Sequence, residues 1–329
     1  MSSNSSSSRP LLTTPYSART TALEVVDGID LSGRRALVTG GASGIGTETV
    51  RALATAGAEV TVATRRPALV EPLVNEMRLV SGAGSVLAAE IDLADLSSVA
   101  SFAQSWQGPL DMLVANAGIM ALPARVLSQQ GWEMQLATNF LGHFALTDLL
   151  HPAMREAQGA RVVVVSSGAH RSKPFNFDDP HFARRPYDPW VSYGESKTAG
   201  VMFAVGASRW AEDGILVNSM NPGFIMTKLQ RHLDDSTMRS LGVMDDQGRV
   251  ITPPHFKTPA QGAATSVLLA ASPLLSGVSG TYFEDNQEAR VVQGDEDKPG
   301  GVAAHALDKQ SAARLWDYAS EAIQHLEAL

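Results

Sequence analysis

From Leu31 to about residue 290 the chain alternates short aliphatic, β-branched runs with longer stretches of helical period, and no other feature restricts its fold so tightly. The short runs are 35–39 (RALVT), 59–64 (EVTVAT), 86–91, 112–115 (MLVA), 161–166 (RVVVVS), 215–220 (ILVNSM) and 280–283 (GTYF). Helical spacing marks 45–56, 68–80, 97–106, 132–157 and 193–213. Strands apolar on both sides must be covered on both faces, and a parallel sheet with crossover helices achieves this. The pattern therefore predicts an α/β fold: one doubly wound parallel sheet of Rossmann type, with helices on both faces. No repeat or interior low-complexity linker divides residues 25–329, which are expected to form a single domain ending in a helix near 308–326. The Ser-rich stretch 1–24 is expected to be a disordered tail.

Composition removes several chemistries. The 329 residues contain no cysteine, so a disulfide framework, a Cys-held zinc or iron–sulfur site and a thiolate nucleophile are all excluded. The eight His residues form no H-E-x-x-H pair, and no metal site is expected. A net charge of −8 disfavours a nucleic-acid partner. No apolar run is long enough to cross a membrane, so the expectation is a soluble, cytoplasmic protein.

Two stretches interrupt the rhythm. Residues 168–192 are rich in Pro, Phe, Asp and Arg, and residues 228–260 mix Leu and Met with polar side chains. Both follow strands, at the sheet end where open α/β folds take ligands, so the second is expected to form a substrate loop or lid.

The turn after the first strand reads Thr39-Gly40-Gly41-Ala42-Ser43-Gly44-Ile45-Gly46 and opens a helix. Glycines let backbone approach a pyrophosphate, whose charge then sits on the helix N-terminus. The end of the second strand selects the cofactor. A carboxylate there would hold an adenosine 2′-OH, but this chain has Thr64 followed by Arg65 and Arg66. Two guanidiniums can pair with a 2′-phosphate, so NADP(H) is expected in preference to NAD(H).

Tyr193 and Lys197 in YGESK stand four apart, so a helix places them on one face. A free Tyr, with a pKa near 10, is a poor acid or base at neutral pH, and a nearby ammonium favours its phenolate. Ser166-Ser167 close the fifth strand, where a hydroxyl can hold a carbonyl oxygen. Asn116-Ala117-Gly118 close the fourth, and Asn139 stands inside a helical stretch, where a buried amide needs a hydrogen-bonding reason. Without a G-x-S-x-G elbow, neither serine reads as an acyl-transfer nucleophile.

Taken together, these motifs resemble the short-chain dehydrogenase/reductase family over about residues 25–325. They are TGGASGIG (39–46), Asp92, NAG (116–118), Asn139, Ser167, YGESK (193–197), Asn221-Pro222-Gly223 and Thr227. The resemblance implies Tyr193 as proton donor or acceptor, with Lys197 lowering its pKa and holding the nicotinamide ribose. It implies Ser167, the second of its pair, as the group orienting the carbonyl, and Asn139 as the anchor of a water relay to Lys197. It assigns to cofactor binding Gly40, Ser43, Gly44, Ile45, Gly46, Asp92, Leu93, Asn116, Ala117, Gly118, Tyr193, Lys197, Pro222, Gly223 and Thr227. Within the family, VVVVSSGAH (162–170), PYDPW (186–190), SKTAGVMFA (196–204) and the stretch 258–283 are similar to the retinol dehydrogenase-like and protochlorophyllide reductase-like branch. Membrane-bound retinol enzymes carry an apolar N-terminal anchor and protochlorophyllide reductases carry active-site cysteines; neither feature stands in this sequence.

The activity so implied is hydride transfer between a nicotinamide and a secondary alcohol, ketone or aldehyde carbon. Leu229, Leu233, Met238, Leu241, Val243 and Met244 in the lid point to an apolar, bulky small-molecule substrate, or to a helix packed on the core. A possible homodimer is a further expectation. The alternative is a catalytically silent NADP-binding sensor or scaffold, which would have no use for the complete Ser, Tyr, Lys and Asn set. An epimerase or dehydratase would need a larger C-terminal portion than the roughly 100 residues after Gly223.

Overall fold

A computed structural model describes residues 9–294 and 299–324. Seven strands lie parallel: β1 Arg35–Thr39, β2 Glu59–Thr64, β3 Val86–Glu90, β4 Met112–Ala115, β5 Arg161–Val165, β6 Leu216–Asn221 and β7 Tyr282–Glu284. Their order is β3-β2-β1-β4-β5-β6-β7, and a short β8 (Gln287–Glu288) adds antiparallel at the edge. All seven expected strands are present, with ends moved by up to two residues. Chain direction across the sheet reverses between β1 and β4, whose carboxyl ends therefore open a crevice.

Pleating explains why the expected strands read as continuously apolar. In β1, Leu37 faces one core while Ala36 and Val38 face the other. In β5, Val162 and Val164 face the first and Val163 and Val165 the second. Successive side chains point to opposite faces, so both parities must be hydrophobic.

The helices are α1 Ala22–Val26, α2 Gly44–Thr55, α3 Glu71–Met77, α4 Leu96–Ser105, α5 Met134–Leu136, α6 Gly142–Leu149, α7 His151–Glu156, α8 Pro189–Ala207, α9 Asp235–Ser240, α10 Pro259–Ala271 and α11 Lys309–Ile323. Phe144, Phe203, Trp210 and Trp316 meet edge to face and lock α6, α8 and α11 together. The terminal helix is shorter than the expected 308–326, and residues 325 and 326 lie outside the described residues.

Three expectations are corrected. The helix expected over 132–157 is broken. Ala137–Leu141 winds as a π-helix, the Gly142 N–H donating to Ala137 O five residues back, and Pro152 marks a separate start for α7. Helix α10 was not foreseen, because its Ala, Gly, Ser and Thr residues carry little amphipathic signal. Its Thr258–Gln261 capping box fixes its start. The third concerns the tail, of which residues 1–8 lie outside the described residues. Arg9 pairs with Glu288 at 2.7 and 2.8 Å, the Leu12 N–H donates to the same carboxylate, and Thr14 bonds the backbone of Asn286. Residues 9–16 thus cover the β8 edge, and α1 follows with Val25 fully buried. An uncovered sheet edge invites foreign strands, and this strap occupies it.

Candidate active site

The first functional element is the turn between β1 and α2. Gly40 and Gly44 have φ of +67° and +60°, conformations that penalise any side chain. A Cβ on Gly40 would lie 2.9 Å from Ala117 Cα, and one on Gly46 would lie 2.6 Å from Asn116 Nδ2. The turn therefore rests on the NAG segment. Asn116 donates through its side chain to Thr39 O at 2.8 Å, and the Asn116 and Ala117 N–H groups donate to Thr39 Oγ1 at 2.9 and 3.0 Å. Asn116 is accordingly a brace behind the turn.

Ser43 occupies the N-cap of α2, yet its side chain accepts no capping bond, in contrast to Asp188, Thr258 and Asp308 at other helices. The first N–H groups of α2, with Ile45 and Gly46 among them, are left for an anion, and the glycine cradle gives it close approach. These residues fit a dinucleotide pyrophosphate. Thr227 closes the site from above, its Cγ2 standing 3.2 Å from a Cβ built on Gly44.

Arg65 and Arg66 are exposed just past the end of β2. Partial burial, then the charges of Arg65 and Arg66, hold the guanidinium of Arg231 on the lid below its ordinary range. Three cations thus converge there, one of them absent from the sequence expectation. Asp92 turns its carboxylate to the Ala94 N–H at 3.0 Å. Leu93 is buried against α6, where a Cβ on Gly142 would fall 2.0 Å from Leu93 O. Pro222 and Gly223 follow β6, and Gly223 (φ +90°) packs against the buried Lys257 side chain, whose Nζ pairs with Asp285 at 2.5 Å. Nothing local in the sequence marks Lys257.

The second element is α8, which starts at Pro189 because Asp188 caps it. Tyr193 and Lys197 are both buried, with Lys197 Nζ 5.7 Å from the centre of the Tyr193 ring. The neighbouring Ser167 side chain acts to lower the Tyr193 pKa, but burial dominates and pushes it up to about 12. Burial also brings Lys197 down to about 8, and its Nζ donates to Val165 O at 2.9 Å. The two serines are separated by environment. Ser166 is buried and donates to Lys197 O at 2.9 Å, whereas Ser167 is partly exposed beside Tyr193.

Asn139 lies in the π-helical bend, and its side chain explains the bend's burial. Oδ1 accepts from Ile119 N at 2.9 Å, and Nδ2 donates to Ile119 O at 3.0 Å and Ser196 Oγ at 2.9 Å. Ser196 in turn donates to Tyr193 O at 2.7 Å. A Cβ on Gly118 would sit 3.2 Å from Asn139 Oδ1 and 3.6 Å from Lys197 Nζ, so Asn139 and Lys197 flank Gly118.

The two interruptions have different roles. The 168–192 segment is anchored by Arg185, which grips buried Glu195 of YGESK and stacks 3.7 Å over Phe182. In the lid, Leu229 and Leu233 pack with Met120 and Ala121 around Tyr193. Met238, Val243 and Phe256 instead make a small core of the lid's own, with Met244 against it, and Leu241 is exposed. The lid leucines thus divide between an apolar wall over Tyr193 and the lid's own packing.

Burial also pushes His143 and His170 down to about 4. Both are neutral when folded, while the unfolded chain protonates near 6.5, so stability is full above pH 6.5 and declines as pH falls toward 4. Calorimetry is expected to show a steady Tm around neutral pH and a loss below pH 6.5, each His contributing up to about 1.4 kcal/mol per pH unit. His170→Gln is expected to take up about one proton fewer on unfolding at pH 5. An unchanged stability from pH 7 to 5 would contradict this.

Comparison with known proteins follows the same lines. The short chain dehydrogenase family pattern matches residues 34–237. A Streptomyces antibioticus protein named "Probable oxidoreductase" is 70% identical over 296 residues, covering 90% of this chain and 99% of its own length. Human Retinol dehydrogenase 14 is 34% identical over 304 residues, covering 87% and 85%. A solved Beutenbergia cavernae structure with bound NADP superposes with a TM-score of 0.58 at 30% identity, covering 77% of this chain and 95% of that one. Among the described residues no helix is long and apolar enough to cross a membrane, and no group of three or more His, Asp or Glu is placed to hold a metal ion.

Proposed function

The chain belongs to the short-chain dehydrogenase family of oxidoreductases, and from that premise we propose that it is an NADP(H)-dependent reductase or dehydrogenase acting on an apolar, bulky ketone, aldehyde or secondary alcohol. One observation carries the reading: Ser167, Tyr193, Lys197 and Asn139, spread over residues 139–197, are brought to the carboxyl end of the sheet beside an uncapped helix terminus. NADPH, when bound, supplies the hydride. Ser167 holds the substrate oxygen, and the Tyr193 hydroxyl gives it a proton as negative charge develops. Lys197 is held at Val165 O and Asn139 at Ser196 and Ile119, so proton-handling groups are fixed before substrate arrives. Met120, Ala121, Leu229 and Leu233 around Tyr193 support an apolar substrate.

NADP preference rests on Arg65 and Arg66, with Arg231 facing them, and on the absence of a carboxylate at Thr64. The Arg65→Ala, Arg66→Ala double variant is expected to raise the KM for NADPH about tenfold per guanidinium lost, with little change for NADH. Steady-state kinetics with both cofactors over a panel of bulky ketones and aldehydes tests the proposal. Turnover that favours NADH would defeat the cofactor reading. NADPH binding without any turnover would favour the sensor alternative. A cytoplasmic location and a homodimer belong to the same proposal, tested by cell fractionation and size-exclusion chromatography.

A further inference from the structure

His143 lies on α6, one turn after Asn139, and is 2% exposed. Its Nε2 stands 2.8 Å from Thr39 Oγ1 and its Nδ1 3.2 Å from Asn139 O. The carbonyl can only accept, so Nδ1 carries the proton and Nε2 accepts. Thr39 fits that assignment. Its Oγ1 already accepts the Asn116 and Ala117 N–H groups, and its one proton is closer to His143 than to Val114 O at 3.4 Å.

We propose that His143 is a positioning residue that couples the cofactor turn to the catalytic helix bend, one ring nitrogen serving each. On one side, Thr39 sets the NAG backbone on which Gly40 rests. On the other, Asn139 is held in the π-helical bend, next to Lys197 across Gly118 and joined through Ser196 to Tyr193 O. An unbroken hydrogen-bonded path therefore runs from β1 through His143 and Asn139 to α8, spanning residues 39 to 196 in sequence. Neutrality is essential, because a second ring proton would face the Thr39 hydroxyl proton. Burial, and then the Lys197 charge, keep the ring neutral.

The inference rests on the proposed reductase activity, and two variants separate the arms. In His143→Asn the amide nitrogen replaces Nδ1, keeping the bond to Asn139 O and losing that to Thr39. In His143→Gln the amide oxygen replaces Nε2, with the opposite result. His143→Asn is expected to weaken NADPH binding about tenfold, roughly one buried hydrogen bond, with kcat near the parent's. His143→Gln is expected to lower kcat about tenfold while the NADPH Kd, read by fluorescence titration, stays within about twofold. Thermal melts of both variants are measured alongside. A crossed pattern supports the coupling. Parallel losses in Kd and kcat that track Tm, or no change in either, would overturn it and make His143 a packing residue. A parent protein that turns over nothing defeats the reductase reading instead, and the NADPH Kd values of the two variants still decide the cofactor arm.

Discussion

Replacing Tyr193 by Phe is expected to lower kcat with NADPH about a thousandfold, the usual worth of a positioned general acid. The substitution removes one oxygen and leaves the ring. Met120, Ala121, Leu229 and Leu233 keep their contacts, as does Trp190 at 6.4 Å between ring centres. Ser167 beside the lost hydroxyl is partly exposed and can turn to water, so a stability change of only about 1 kcal/mol is expected. NADPH affinity is expected to stay within a few-fold, because the glycines and arginines proposed to hold the cofactor are untouched. Single-turnover kinetics, an NADPH titration and a thermal melt together make the test. Retained turnover would assign the proton to another group, and a parallel collapse of Tm would mean that the hydroxyl is structural.

Gly142→Ala is expected to destabilise the protein by about 3 kcal/mol, at the upper end of overpacking costs. The sign is the informative part. Within a helix, Gly→Ala ordinarily gains about 1 kcal/mol, through propensity and a less flexible unfolded chain. Here the new methyl would fall 2.0 Å from Leu93 O and 2.8 Å from Leu93 carbonyl carbon, both backbone atoms that cannot rotate away. Helix α6 and the chain after β3 must therefore separate. Gly142 ends the π-helical bend that holds Asn139, so the shift also reaches the candidate site. Chemical denaturation is expected to show a lower midpoint with an unchanged slope. A more stable variant would mean that the close approach of α6 to Leu93 is not maintained in solution.

Much of the site was legible because its residues sit at strand ends or at fixed helical spacing. The glycine turn follows β1, Ser167 follows β5, and Tyr193 and Lys197 share a face of α8 by their four-residue separation. What escaped has no local signature. His143, Ser196 and Lys257 are ordinary residues whose partners stand 104, 57 and 28 positions away, so neither spacing nor composition marks them. The 132–157 segment has helical period throughout, and nothing in that period announces the π-helical bend. The strap at 9–16 carries two prolines and no helical or strand period, and it takes its shape from the Asn286–Glu288 edge.

By itself, then, the sequence determined the layered α/β architecture, the strand set and the chemistry-bearing residue types. Burial on two faces is written into the central strands, and the positive-φ positions of the turn after β1 call for glycine. Tertiary structure alone decided which lid leucines reach Tyr193 and where the helix around Asn139 bends. It also decided that burial drives the Tyr193 pKa up and the Lys197 pKa down. Those properties depend on how much water and which distant groups surround an atom, and only the packed chain sets both.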